Sequence, residues 1–336
     1  TALKSLEDQD QKIPYSVKII LDGQEEAGSD SFLSTLDKYK KTYKADYLLI
    51  MDGPAHQSNL PTLTFGCRGI ATCSITTYGS KFPQHSGHFG NFAPNPVFSL
   101  GRILAKMKDE DGKVLIDDYY EEVVLTREVK EVLREIPDDD EALVQQLAIT
   151  SFEKVGTFYQ ESLQYPSLNV RQIETSWKGE GLKTIIPEWA TAHIDVRLVK
   201  ETGGKMQLEK IKKFLRKDGF LVLDRDPTDE ERLTTQKIVK YITGRSINAF
   251  RTDMNAPIGK QLAASLEKMF GESPVLLRTM GGTVPIIPAI NSLEIPAVIV
   301  PMVNMDNNQH NPNENIRIGN ISQGIQTCLA ILMMEI

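Results

Sequence analysis

The sequence predicts an α/β fold interrupted by an α+β insertion. Three observations point there: strand and helix patterns alternate over residues 1–65, the alternation resumes from about residue 281, and the stretch between has a pattern of its own. A chain of 336 residues with 40% hydrophobic content suits two domains around a sizeable buried core. The expected division is one split α/β domain with a mixed central sheet, residues 1–65 and 281–336, around an inserted lid, residues 66–280.

In chain order, the β-branched run 17–21 reads as a strand, 30–41 as a helix, and 47–51 and 62–65 as strands. The insertion carries strands near 70–78, 168–173 and 190–199, and helices near 96–108, 206–215 and 258–270. Leu208, Ile211 and Leu215 share one helix face, as expected of a helix covering a sheet. Beyond the insertion, 297–300 reads as a strand. A closing helix then repeats Ile321, Ile325, Cys328, Leu329, Leu332 and Ile336 at a 3.6 period.

Composition narrows the partners. A formal net charge of −7 argues against a nucleic-acid or anionic-membrane surface. No apolar run approaches the roughly 20 residues of a membrane span. Cys67, Cys73 and Cys328 lack the number and spacing of a disulfide framework or a thiolate zinc site, and read as ordinary thiols. A cytoplasmic location is expected, although the sequence begins at Thr1 and shows no leader.

Chemistry is sought at strand ends, because ligands of open α/β sheets bind outside the carboxyl ends of the strands. Glu25 and Glu26 follow the 17–21 run, Asp52 follows 47–51, and His310 follows 297–300. Glu, Asp and His together form a donor set expected of zinc or a similar divalent cation, whereas a bare Glu-Glu pair alone reads as a solvated acidic turn. The run Asp138-Asp139-Asp140-Glu141 reads as a solvated loop without function. His85 and His88, beside glycine and outside a helical pattern, do not form a metal pair. Arg197 shares a strand face with Asp195 and is either half of a surface salt bridge or an anion clamp. The pair Gly281-Gly282 before Thr283 is a hinge or a close approach of backbone N–H groups to an anion.

Five segments carry a resemblance: Gly23-Gln24-Glu25-Glu26-Ala27-Gly28-Ser29, Gly66-Cys67-Arg68-Gly69, His85-Ser86-Gly87-His88-Phe89-Gly90, Gly281-Gly282-Thr283-Val284-Pro285 and Gln309-His310-Asn311-Pro312-Asn313-Glu314. Their order and spacing resemble the dinuclear zinc peptidases, the family of carnosinase, cytosolic non-specific dipeptidase, acetylornithine deacetylase and succinyl-diaminopimelate desuccinylase. Tyr165-Pro166-Ser167-Leu168 and Lys183-Thr184-Ile185-Ile186-Pro187 are similar to the carnosinase and non-specific dipeptidase branch.

The resemblance implies a metal-dependent hydrolase of amide bonds in dipeptides or very short peptides. An N-acyl amino acid deacylase, or a binding protein on a peptidase fold, would share the same motifs. It implies two zinc ions, with manganese or cobalt as substitutes. Glu26 and His310 would hold one and Asp52 the other, while Glu25 would act as general base. His85 would reach the partner subunit's site in a homodimer joined through the lid, and Arg197, Gly281, Gly282 and Thr283 would hold the substrate carboxylate. In the family a further metal-binding His and a bridging Asp precede the first of these segments. They are absent from residues 1–336, so weak or incomplete metal binding and little activity are expected of this stretch alone.

Overall fold

The computed structural model describes residues 1–336 apart from 180, 182 and 336 and the side chain of 37. Two sheets organise it. The smaller runs in the order Leu48–Ile50, Ala297–Ile299, Thr62–Thr64, Val275–Leu277 and is mixed, its outer pairs parallel and its inner pair antiparallel. Thus the two sequence-distant pieces meet in one sheet, as expected of a split α/β domain. The larger sheet, in the order Ser167–Thr175, Trp189–Leu198, Gly69–Tyr78, Ile238–Ile247, Leu221–Leu223, belongs to the insertion.

Trp189–Leu198 shows why the insertion folds as it does. Its residues Ala190, Ala192, Ile194, Val196 and Leu198 alternate and are fully buried. They pack on Leu100, Ile103 and Met107 of the helix Pro96–Met107 and on Leu208, Ile211 and Leu215 of the helix Gly204–Lys217. Each of these Leu, Ile, Val and Met side chains contributes roughly 1.5–3 kcal/mol on burial. The period of two leaves Asp195 and Arg197 on the opposite face.

Several expectations need correction. Residues 17–21 form no strand: among the described residues no ladder partner lies beside them, and Ile19 and Leu21 remain 63% and 90% exposed. The closing helix, Ile318–Leu332, buries Asn320, Thr327, Ala330 and Ile331, whereas Ile321 is exposed. Contact with the helix Pro257–Phe270 turns that face inward; Ile336 lies outside the described residues. The Pro257–Phe270 helix, expected on the lid, packs through Ile258, Leu262 and Leu266 on Leu63 and Val298 of the smaller sheet and on the adjoining Phe65. The strand Val275–Leu277 joins that sheet too.

The acidic run is not a solvated loop either. Asp139 caps the helix Asp140–Gln146 by accepting from Ala142 N–H, and Asp140 accepts from Tyr159 N–H. Asp138 is nearly buried and sits 3.0 Å from His56 Nε2. Burial raises its carboxyl, yet hydrogen bonds from His56, Gln160 and Gln57 outweigh that and hold it below the ordinary range. This pair fastens the loop after Leu48–Ile50 to the insertion.

The two bodies join at Gly66-Cys67-Arg68-Gly69. Gly66–Cys67 pairs with Phe250–Arg251, and Cys67 also bridges to Met280. A Cβ on Gly69 would lie 2.3 Å from the Ile247 carbonyl oxygen and 2.5 Å from Ala249 N, both rigid backbone. Gly69→Ala should therefore lower stability by about 1–3 kcal/mol, the usual range for overpacking. Urea denaturation with an unchanged slope checks this; an unchanged midpoint would contradict it. Cys67 and Cys73 are buried free thiols, each pushed up to about 12 by burial.

Candidate metal centre and substrate clamp

Parallel pairing of Leu48–Ile50 with Ala297–Ile299 brings their carboxyl ends side by side. Pro54 then bridges to Val303, so the Asp52 turn and the loop leading to His310 leave the same end of the sheet. That loop is bound to itself: Asn307, nearly buried, accepts from Gln309 N–H through its side chain and from Asn315 N–H through its carbonyl. Within it Asn308, His310 and Asn313 take left-handed backbone with φ of 59°, 62° and 66°. Three such non-glycine residues in one loop are uncommon, and each carries a conformational cost met by the surrounding bonds.

Glu25 and Glu26 arrive on the short 3-10 turn Glu25–Ala27, which ends at Gly28 in the left-handed region, φ 98°. Although 284 positions apart in sequence, Glu26 and His310 meet: Nε2 lies 3.0 Å from Oε2 and 3.3 Å from Oε1. Two donors on one zinc, at the usual bond lengths and a tetrahedral angle, stand about 3.3 Å apart. The oxygen and nitrogen are thus at ligand spacing. Both side chains are open to solvent, at 74% and 62% exposure, so as a plain ion pair they would add little stability.

Glu25 is half-buried beside them. Its carboxyl is raised above the ordinary range, first by burial and then by the charges of Asp52, Glu26 and Asp22, with His310 opposing. That shift also locates Asp52 in the same electrostatic neighbourhood. Asp52 itself accepts from Gly53 N–H at 2.7 Å. No three His, Cys, Asp or Glu side chains among the described residues close on one point. The fit to a metal is therefore that of two ready donors, with Asp52 outside their cluster.

A second constellation forms at the return of the chain from the insertion. Arg197 Nη1 donates to Thr283 Oγ1 at 3.0 Å, and Thr283 donates to the Arg68 carbonyl at 2.7 Å. Asp195 is 3.8 Å from Arg197 Nε. Neither Gly281 nor Gly282 has positive φ, and a Cβ on Gly281 would make only ordinary contact with Leu163, 3.7 Å away.

His85 stands elsewhere. It lies on the pair Gln84–His85 with Ile185–Ile186, accepts from Gly87 N–H at 3.0 Å, and is exposed. Thr184 Oγ1 lies 3.4 Å from its Nε2, and His88 is tilted against it at 4.9 Å. Sequence reasoning misses two polar groups: His56, held by Asp138 and Ser58, and Arg68, buried behind the Thr283 contact. Proximity of His56 to the Asp52 turn, and the charge inside a glycine-flanked motif, are the signals that could have found them.

Residues 65–220 match the family model for a peptidase dimerisation domain. The chain is 26% identical to the Beta-Ala-His dipeptidase of Homo sapiens over 99% of its own length and 64% of that protein's. Against the Cys-Gly metallodipeptidase DUG1 of Saccharomyces cerevisiae identity is 25%, covering 96% of this chain and 66% of the relative. The chain thus spans less than two thirds of the length of these curated relatives. Among solved structures, an M20 family metallo-carboxypeptidase from Sulfolobus solfataricus superposes with a TM-score of 0.80 at 25% identity, covering 99% of this chain and 73% of that one. The resemblance carried by the motifs therefore extends along nearly the whole chain, and the fold is similar to that of a peptidase core with an inserted dimerisation domain. No helix among the described residues is long and apolar enough to cross a membrane.

Proposed function

We propose that this chain, a relative of the M20 metallodipeptidases, serves metal-dependent hydrolysis of the amide bond in dipeptides or very short peptides. The observation that carries the reading is the Glu26–His310 pair at ligand spacing beside a half-buried Glu25. Glu26 and His310 would hold one divalent ion and Asp52 a second; two zinc ions are the proposed complement. When bound, the metal supplies Lewis-acid polarisation of the scissile carbonyl and acidifies water. Glu25, left free of ligation, takes the proton of the attacking water and returns it to the leaving amine. Its burial among carboxylates suits a base that must hold a proton briefly.

Arg197, steadied by Thr283, presents a planar fork to the free carboxylate of the substrate, with backbone N–H groups of Gly281 and Gly282 beside it. Such a clamp favours substrates whose carboxylate lies close to the scissile bond. The matched dimerisation domain supports a homodimer in which His85 serves the partner subunit's site. Free buried thiols support a cytoplasmic location.

The test is a panel of dipeptides and N-acyl amino acids, assayed before and after chelation, on protein carrying the complete metal site. Metal-restored hydrolysis of dipeptides is expected; turnover of N-acyl amino acids alone would move the assignment to a deacylase. Residues 1–336 by themselves should retain fewer than two tightly held zinc ions per protomer, measured by elemental analysis.

A further inference from the structure

Outside the metal centre and the clamp, the insertion holds a cleft of about 350 Å³ walled by Leu143, Leu147, Ile149, Phe152, Phe158 and Tyr165. Leu147, Ile149 and Phe152 are 65%, 42% and 43% exposed, so apolar surface faces water there. Arg68 also lines this cleft, yet only 7% of it is exposed. One of its nitrogens donates to the Tyr165 carbonyl at 2.6 Å, and Nε is buried without a partner.

Among the described residues no carboxylate pairs with this guanidinium. The two acids on the cleft wall are engaged elsewhere, Asp140 with Tyr159 N–H and Glu153 with Lys108 at 2.6 Å. Burial, with the charge of Arg197 adding to it, lowers Arg68 to about 10. An isolated buried cation is costly, and an entering anion would relieve that cost. Apolar walls ending on a few placed polar groups are also the usual build of a small-molecule site.

We propose that this cleft binds a small amphiphilic carboxylate, its head on the Arg68 guanidinium and its alkyl or aryl body along the Leu143 to Tyr165 wall. A planar carboxylate matches the edge of a single guanidinium that the Tyr165 carbonyl leaves open. A dianionic phosphate would call for a second free cation, and Lys108 is already paired. Because the Arg68 carbonyl receives the Thr283 hydroxyl that also meets Arg197, an occupant would sit one residue from the clamp. This assignment rests on Arg68 and the cleft alone and stands apart from the metal chemistry.

Isothermal titration of the chain with octanoate, octanol and octylammonium tests it. One octanoate per chain is expected, bound at least about tenfold more tightly than octanol, with octylammonium not binding. Arg68→Met should erase the preference for octanoate over octanol. Leu147→Glu, on an exposed position where folding is little affected, should weaken octanoate by at least about tenfold through repulsion on the wall. Equal affinity for octanoate and octanol, undiminished octanoate binding in a folded Arg68→Met or in Leu147→Glu, or no saturable binding at millimolar octanoate would each overturn the proposal. Circular dichroism verifies the fold of both variants, and Leu147→Glu decides alone if Arg68→Met does not fold.

Discussion

Glu25→Gln, in protein carrying the complete metal site, is expected to keep its metal and lose about a hundred- to ten-thousandfold in turnover. The amide has the shape of the carboxyl group but cannot accept the proton of the attacking water. Metal retention follows from the geometry: the donor facing His310 is Glu26, while Glu25 feels the cluster through burial and charge. Replacing Glu25 also removes one negative charge from a crowded group, so affinity for the cations should fall only modestly. Elemental analysis and saturating-substrate kinetics separate the two effects. Turnover at the wild-type level with metal in place would assign the base to another residue.

A comparably large loss is expected of His85→Ala, about a hundred- to a thousandfold if it supplies an oxyanion donor. Here the structure offers a sharper experiment than a single variant. His85 is exposed on the insertion and contacts Thr184 and Gly87, and neither Glu26 nor His310 is among its partners. A two-fold dimer through the dimerisation domain would be isologous, each subunit lending its His85 to the other. Mixing His85→Ala subunits with Glu25→Gln subunits then yields heterodimers with one site that combines a native Glu25 and a native His85. Roughly half the wild-type rate per heterodimer is expected. Heterodimers verified by mass that remain as inactive as the parents would place His85 within its own subunit's chemistry or outside catalysis.

Strands with uninterrupted apolar runs are legible in the amino-acid pattern itself, as Leu48–Ile50 and Ala297–Ile299 illustrate. Ile238–Ile247 is not. Its alternation breaks at Gly244-Arg245, where the register against Gly69–Tyr78 shifts between Thr243 and Ser246. Residues 17–21 mislead for the opposite reason, having strand propensity without a partner to pair with, and propensity alone does not make a ladder. In the site, Glu26 and His310 stand 3.0 Å apart although the sequence separates them widely. The His56–Asp138 pair does not show in the sequence, because a run of four acids looks like surface until a distant histidine is known to face it. Arg68 is hidden likewise: burial of a charge depends on what surrounds it in space.

The two buried thiols give the molecule a built-in clock. Cys67 lies on the short strand held between Phe250 and the Met280 bridge, whereas Cys73 sits inside the larger sheet against Tyr241 and the helices that cover it. Thiolate is the species that reacts with alkylating reagents, and both sulfurs are held protonated and out of reach in the folded state. Alkylation of Cys67 consequently requires local opening of the junction between the two sheets, while alkylation of Cys73 requires the insertion itself to come undone. The logarithm of the ratio of the two labelling rates, multiplied by RT, is the free energy that separates opening of the junction from unfolding of the larger sheet.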